Sequence, residues 1–156
     1  MAVQVQLACR VPGRPAAREL ARFARAALAE VPRGMEMTVR VVDEVEGAEL
    51  NETYRRKSGP TNVLAFPFEA PPGASVRLLG DVVICAPVVA REAEEQGKEP
   101  RAHWAHMVVH GTLHLLGYDH RRAAQAARME SREREILTTL GFPDPYAESQ
   151  SREDRP

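Results

Sequence analysis

All five histidines of the chain lie between residues 103 and 120, and three of them have the spacing of a metal site. His110 and His114 are four residues apart on a predicted helix, so both imidazoles project from the same helix face. Gly117 allows the chain to leave the helix, and His120 can then approach the same point from another direction. Three imidazoles with an open fourth position are typical of a catalytic zinc site. We therefore predict that these three histidines bind one zinc ion, although the set also suits nickel or another divalent ion.

Residues beside the three histidines could support the metal site. Asp119 could accept a hydrogen bond from a ligand imidazole and fix its tautomer, which would make it part of the catalytic apparatus. It could equally cap the helix that follows. His106 lies one turn before His110, and a hydrogen-bonded structural role is favoured for it over a contact with the ligands.

The residue after the first predicted ligand is Gly111. The spacing His-x3-His-x2-Gly-x2-His is also that of metzincin proteases, which need a glutamate at this point to deprotonate the water on zinc. Glycine has no side chain for acid–base chemistry, so a zinc peptidase is disfavoured. Zinc itself lowers the pKa of a bound water to about 7, so a strong protein base is not required for hydrolysis.

A second group of candidate residues is the basic cluster Arg55, Arg56 and Lys57, which follows a predicted helix. The guanidinium group offers a rigid fork of donors that matches phosphate oxygens. A solvated helix end, where cations favour the helix dipole, is the alternative interpretation, and composition alone favours it.

Composition limits the classes of protein that remain. The chain has 156 residues and a formal net charge of -1, so nucleic-acid binding would need a local basic patch. The N-terminal segment MAVQVQLACR does not have the pattern of a signal peptide, and no stretch reaches the roughly 18 apolar residues that span a bilayer. A cytoplasmic protein without a membrane partner is expected.

The two cysteines, Cys9 and Cys85, are predicted to be buried strand thiols, for which a disulfide is an open alternative.

Hydrophobic periodicity predicts a single α+β domain over residues 1–146, with one mixed β-sheet packed by helices and the metal site on a central helix. Residues 147–156 are polar and are predicted to form a disordered tail. Asp43 is the predicted N-cap of a helix that runs to about Lys57, with Glu46 as its capping-box partner. This helix is expected to place Val45, Ala48, Leu50 and Tyr54 variously inward. Strands are predicted over 3–7, 37–43, 63–68 and 78–86, and the other helices over 15–29, 87–97, 101–117 and 121–142. The strand over 63–68 is expected to be a short buried strand or an edge strand, because Pro67 cannot donate to a ladder.

Three segments together resemble the bacterial YbeY family of single-strand-specific endoribonucleases: LNETYRRKSGPTNVLAFPF, LGDVVICAP and HMVVHGTLHLLGYDH. The resemblance covers roughly residues 37–142. It implies a zincin-like fold, a zinc ion on His110, His114 and His120, and a functional arginine at Arg55. It also implies maturation of the 3′ end of small-subunit ribosomal RNA, and ribosome quality control in the cytoplasm. The implied partners are the small ribosomal subunit, ribosomal proteins and assembly GTPases.

Two functional hypotheses follow from these features. In the first, the protein is a zinc-dependent endoribonuclease in which Arg55 binds the scissile phosphate, while Arg55, Arg56 and Lys57 contact the backbone of single-stranded RNA. In the second, the protein is a non-catalytic ribosome-assembly factor that uses zinc to hold its fold while a basic face binds RNA. A zinc peptidase ranks third.

Overall fold

The computed structural model describes residues 2–32, 34–73 and 77–147, and within them the chain forms four strands and five helices. This arrangement confirms the predicted single α+β domain with one mixed sheet. In chain order the elements are β1 (Ala2–Leu7), α1 (Ala17–Ala27), β2 (Glu36–Val42), α2 (Glu44–Arg55), β3 (Val63–Pro67), β4 (Leu78–Cys85), α3 (Ala86–Glu95), α4 (Pro100–Leu115) and α5 (Ala123–Thr139).

The sheet has the strand order β1-β2-β4-β3. Strands β1, β2 and β4 are parallel, and β3 pairs with β4 in the antiparallel direction. Strand β3 is therefore an edge strand, as Pro67 predicts, because proline cannot donate a hydrogen bond to a central ladder. This edge lies close to the predicted metal site, since β3 contacts α4.

Helix α4 is the central helix of the domain and contacts α1, α3, α5, β3 and β4. Its apolar residues surround most of the helix, as is typical of a helix buried within a core. Trp104, Val108 and Val109 pack in one core with the sheet residues Val39 and Val82, and all five side chains are fully buried. The predicted metal helix is thus held from several directions, which fixes the positions of its histidines.

Helix α2 begins as predicted but differs from the prediction in its end and in its buried face. The Asp43 side chain accepts the main-chain N–H of Glu46 at 2.9 Å, which confirms the N-cap. The Glu46 carboxylate does not complete the capping box, because it pairs with Arg40 at 2.6 and 2.8 Å instead. The helix ends at Arg55, slightly before the predicted end near Lys57, because the backbone of Arg56 turns left-handed at φ 55°.

The predicted apolar face of α2 was partly wrong. Val45 is 68% exposed and Tyr54 is 64% exposed, whereas the buried positions are Gly47 and Asn51. The physical reason is that α2 rests on α3 and β4 through a narrow contact, where the small Gly47 lies against Cys85.

The remaining expectations concern the cysteines, the tail and membrane insertion. Cys85 is buried at the end of β4 as predicted, but Cys9 lies beyond β1 and is only half-buried; both thiols are free. Of the predicted disordered tail, residues 148–156 lie outside the described residues. Among the helices that the structure describes, none combines the length and apolar character needed to cross a bilayer.

Candidate metal centre

The end of helix α4 brings the three predicted ligands together. His110 and His114 lie on its last two turns, and the helix ends in a Schellman motif. In this motif Gly117 donates its N–H to the His114 carbonyl at 3.0 Å, and Tyr118 donates to the Leu113 carbonyl at 3.0 Å. Gly117 has a φ of +95°, a conformation that favours glycine. The chain therefore turns back, and His120 returns to the face that carries the other two histidines.

The geometry of the three imidazoles fits a metal ion. One ring nitrogen from each of His110, His114 and His120 lies within 4.8 Å of the others. The ring centroids are 4.7 Å apart for His110 and His114, 5.1 Å for His114 and His120, and 5.9 Å for His110 and His120. Burial lowers the pKa of His114, and the two neighbouring imidazoles lower it further. Both effects favour the neutral imidazole, which is the form that binds zinc.

A buried carboxylate on α5 lies directly behind this cluster. Glu133 is 1% exposed, and its Oε1 accepts a hydrogen bond from Nδ1 of His110 at 2.8 Å. Its Oε2 lies 2.6 Å from Nε2 of His106 and accepts the hydroxyl of Tyr146 at 2.6 Å. Burial alone would raise the pKa of Glu133, but the hydrogen bonds from His106 and His110 outweigh this effect and lower it to about 2. Glu133 is therefore an ionised acceptor. Burial and this carboxylate together raise the pKa of Tyr146, so its hydroxyl stays a donor.

The other two histidines of helix α4, His103 and His106, are buried and hydrogen-bonded, as predicted for His106. His106 is buried against Glu133, and its ring lies 6.1 Å from that of His110. It therefore contacts the same carboxylate that accepts the hydrogen bond from the predicted ligand His110. His103 is 3% exposed and lies 3.0 Å from Glu92. Burial lowers the pKa of His103, although Glu92 acts in the opposite direction. Glu92 also accepts hydrogen bonds from Asn62, which ties the chain before β3 to α3 and α4.

The histidines open into a groove of about 690 Å³ beside strand β3. Arg55, Lys57 and Arg121 line the same groove, so the imidazoles share it with three cationic side chains. Arg55 donates a hydrogen bond to the Ala65 carbonyl, and its guanidinium lies 5.5 Å from the centre of the Phe66 ring. These contacts hold Arg55 at the rim of the groove. Arg56 is exposed at the left-handed turn after α2 and is not among the lining residues.

Asp119 lines the groove but differs from both sequence interpretations of it. Its Oδ1 accepts the main-chain N–H groups of His120 at 2.7 Å and Arg121 at 3.3 Å. Helix α5 begins at Ala123 without a side-chain cap, so Asp119 stabilises the turn at His120 and does not cap that helix. In the part of the chain that the structure describes, the imidazole N–H acceptor is Glu133 and not Asp119.

Gly111 lies where α4 packs tightly against the sheet. A methyl group at this position would lie 2.6 Å from Cγ1 of Val82 and 3.0 Å from Cγ2 of Val63. A glutamate there would begin with its Cβ pressed against these valines, so the site has no room for the base that glutamate-dependent metalloproteases use. The helix–sheet packing at Gly111 thus agrees with the absence of this glutamate, which is evidence against a peptidase.

Sequence reasoning did not identify Glu133, Tyr146 or Glu92 as parts of the site. A signal for Glu133 was present, because its position falls on the apolar side of α5 between Met129 and Ile136 at helical spacing. A carboxylate on a buried face needs partners, and the nearby histidines of α4 are suited to this. Tyr146 gave no such signal, because it follows Pro143 and Pro145 and directly precedes the predicted disordered tail.

Comparison with known proteins identifies the family of this chain. Residues 13–141 match the family model described as Endoribonuclease YbeY. The chain is 63% identical over 119 residues to Endoribonuclease YbeY of Halorhodospira halophila (strain DSM 244 / SL1), a match that covers 74% of this chain and 77% of that protein. The solution structure of TM1509 from Thermotoga maritima has the same fold, with a TM-score of 0.60 at 24% identity over 98% of this chain and 96% of that one. This chain therefore belongs to the YbeY family.

Proposed function

We propose that this protein is an endoribonuclease that cleaves single-stranded RNA at a metal ion held by His110, His114 and His120. The observation that carries the proposal is that Arg55 lines the same groove as the three histidines. A guanidinium beside three metal ligands suits a phosphodiester substrate, because it can pair with phosphate oxygens while the reaction proceeds. Family membership supports the reaction, since the relative with 63% identity is named an endoribonuclease.

Each part of the groove has a distinct proposed role. A bound zinc ion would lower the pKa of water and polarise a phosphoryl oxygen. Arg55 uses one N–H for the Ala65 carbonyl, and the guanidinium has further donors for the scissile phosphate. Its charge offsets the charge that gathers on the phosphate oxygens during cleavage. Asp119 acts indirectly, because it holds the turn that carries His120.

The basic residues near the groove are proposed to bind the RNA backbone. Lys57 and Arg121 line the groove with Arg55, and a positively charged channel can follow a single strand without reading its sequence. Arg56 is exposed next to Lys57, and we assign it a contact with RNA outside the groove.

The wider biological role rests on the family resemblance. We propose that the substrate is ribosomal RNA, with the 3′ end of the small-subunit RNA as the main processing site. The partners are then the small ribosomal subunit, ribosomal proteins and assembly GTPases, and the location is the cytoplasm. Incubation of the protein with small subunits that carry an unprocessed 3′ end tests this role, and we expect trimming that the His114→Ala variant does not perform.

The catalytic proposal is tested by cleavage of an unstructured RNA. We expect His114→Ala to abolish cleavage, and Arg55→Glu to slow it by about 100-fold or more, which is the range for loss of a group that stabilises transition-state charge. Arg22→Glu is a matched control, because Arg22 is exposed on α1 and is not among the groove residues. Undiminished cleavage by both site variants would refute the assignment.

Two modified substrates sharpen the mechanism. A single 2′-deoxy link at the cut site separates attack by water from attack by the 2′-hydroxyl of the RNA itself, because only the first survives the change. A perfectly paired duplex of the same sequence tests strand preference. We expect the duplex to be cleaved much more slowly than the single strand.

A further inference from the structure

Buried Glu133 and half-buried Tyr146 form a hydrogen-bonded network beneath the candidate metal centre, and neither has a role in the function proposed above. Glu133 is fully enclosed, and burial of an ionised carboxylate is strongly unfavourable unless hydrogen bonds compensate for it. Here three donors surround it: His110, His106 and Tyr146. We propose that Glu133 is a positioning residue that fixes the tautomer and ring orientation of His110 for metal binding. This inference rests on the proposed metal centre.

The first step of the argument concerns the proton on His110. An ionised carboxylate only accepts hydrogen bonds, so the 2.8 Å contact with Glu133 Oε1 requires a proton on Nδ1 of His110. The neutral imidazole then has its lone pair on Nε2. That nitrogen is the one available to a metal shared with His114 and His120. A carboxylate that accepts the second N–H of a metal-bound histidine also makes the imidazole a stronger ligand.

The second step concerns what holds Glu133 itself. Its Oε2 is fixed by the hydroxyl of Tyr146 and by Nε2 of His106, each at 2.6 Å. Tyr146 is fixed in turn, because its main-chain N–H donates to Asp144 at 2.8 Å and the Arg134 guanidinium lies 5.2 Å from its ring centre. The turn after α5 thus places a hydroxyl that holds one oxygen of the carboxylate, while the other oxygen contacts His110.

The test measures zinc affinity and the His110 tautomer, neither of which depends on RNA cleavage. We expect Glu133→Gln to weaken zinc binding by at least tenfold, within the range seen when such a supporting partner is lost. Tyr146→Phe leaves the contact with His110 in place, and we expect a smaller decrease. Glu135→Gln is the matched control on the same helix, because Glu135 is exposed and pairs with Arg132, and its zinc affinity should equal that of the wild type.

The tautomer is read from ¹⁵N NMR of the imidazoles in the metal-free wild-type protein. We expect His110 to carry its proton on Nδ1, and we expect this preference to weaken in Glu133→Gln. A wild-type His110 protonated on Nε2 would overturn the inference whether or not the variant folds. A folded Glu133→Gln protein whose zinc affinity falls by less than tenfold would overturn it too. Failure of the metal centre itself gives a different result, namely that His114→Ala binds zinc as tightly as the wild type.

Discussion

Replacement of Gly111 by alanine tests whether the packing of α4 against the sheet requires a glycine at this position of the histidine motif. The added methyl group would lie 2.6 Å and 3.2 Å from the two γ-carbons of Val82 and 3.0 Å from Cγ2 of Val63. Both valines are β-branched and have stiff χ1 angles, and Val82 is fully buried in the core. Neither side chain can move aside without disturbing the packing between α4 and the sheet.

Two opposing effects set the magnitude. Alanine favours a helix over glycine by about 1 kcal/mol. Overpacking of a dense core costs about 1–3 kcal/mol, and a contact as short as 2.6 Å to a stiff side chain belongs at the upper end of that range. We therefore expect Gly111→Ala to lower the free energy of unfolding by about 1–2 kcal/mol, which corresponds to roughly 2–4 °C in melting temperature per kcal/mol for a chain of this size.

Urea unfolding followed by circular dichroism measures this change, and Gly47→Ala in α2 is the matched control. A methyl group at Gly47 would meet Cys85 Sγ at 3.2 Å and Cys85 Cβ at 3.4 Å, which a small shift relieves. We expect Gly47→Ala to be neutral or up to about 1 kcal/mol more stable than the wild type. Equal or greater stability of Gly111→Ala would refute the packing argument.

The double variant Gly111→Ala with Val82→Ala checks that the effect arises from this contact. The shorter side chain removes both γ-carbons that clash with the new methyl group. We expect the two changes to be less destabilising together than the sum of the single changes, with a coupling energy above about 0.5 kcal/mol. Strict additivity would show that the cost of Gly111→Ala has another origin.

Two further predictions concern the stability that side chains of helix α2 provide. The hydrogen bond from Arg40 lowers the pKa of Glu46, so the pair stabilises the fold above the ordinary carboxyl pKa and loses this effect as the pH falls through the lowered value. Both side chains are about one-third exposed, and we expect Glu46→Gln to lower the free energy of unfolding by less than about 1 kcal/mol at pH 7. In urea titrations this difference should shrink as the pH falls below the ordinary carboxyl pKa of 4.5 and vanish below the lowered pKa of Glu46. Buried Asn51 donates to the Gly59 carbonyl at 2.8 Å, and Asn51→Ala should lower the free energy of unfolding by about 1–3 kcal/mol in the same assay.

The sequence predicted correctly those features of the fold that depend on one or two neighbouring residues, such as helix ends and an edge strand. Asp43 caps α2, Gly117 ends α4, and Pro67 lies on an edge strand, because each follows from a backbone requirement of one or two residues. The spacing of His110 and His114 predicted their shared face for the same reason.

The sequence predicted less where the outcome depends on the packing of distant elements. The exposure of Val45 and Tyr54 reflects how narrowly α2 rests on β4 and α3, which no periodicity in α2 reports. Glu133 is 23 residues beyond His110, and their contact exists only because α5 packs against α4. Gly111 could be recognised as unsuited to catalysis, but the valines that exclude a side chain became evident only from the helix–sheet contact.

The central claim is that the metal ion held by the three histidines performs the cleavage of RNA. The most direct test follows cleavage of an unstructured RNA by one preparation in its zinc-loaded, chelated and zinc-restored states, with the thermal melt of each state recorded alongside. We expect chelation to abolish cleavage, zinc to restore it, and the chelated protein to keep a cooperative melt. Cleavage at an unchanged rate after complete removal of the metal would contradict the claim, and a fold lost together with the metal would favour a structural zinc in a non-catalytic assembly factor.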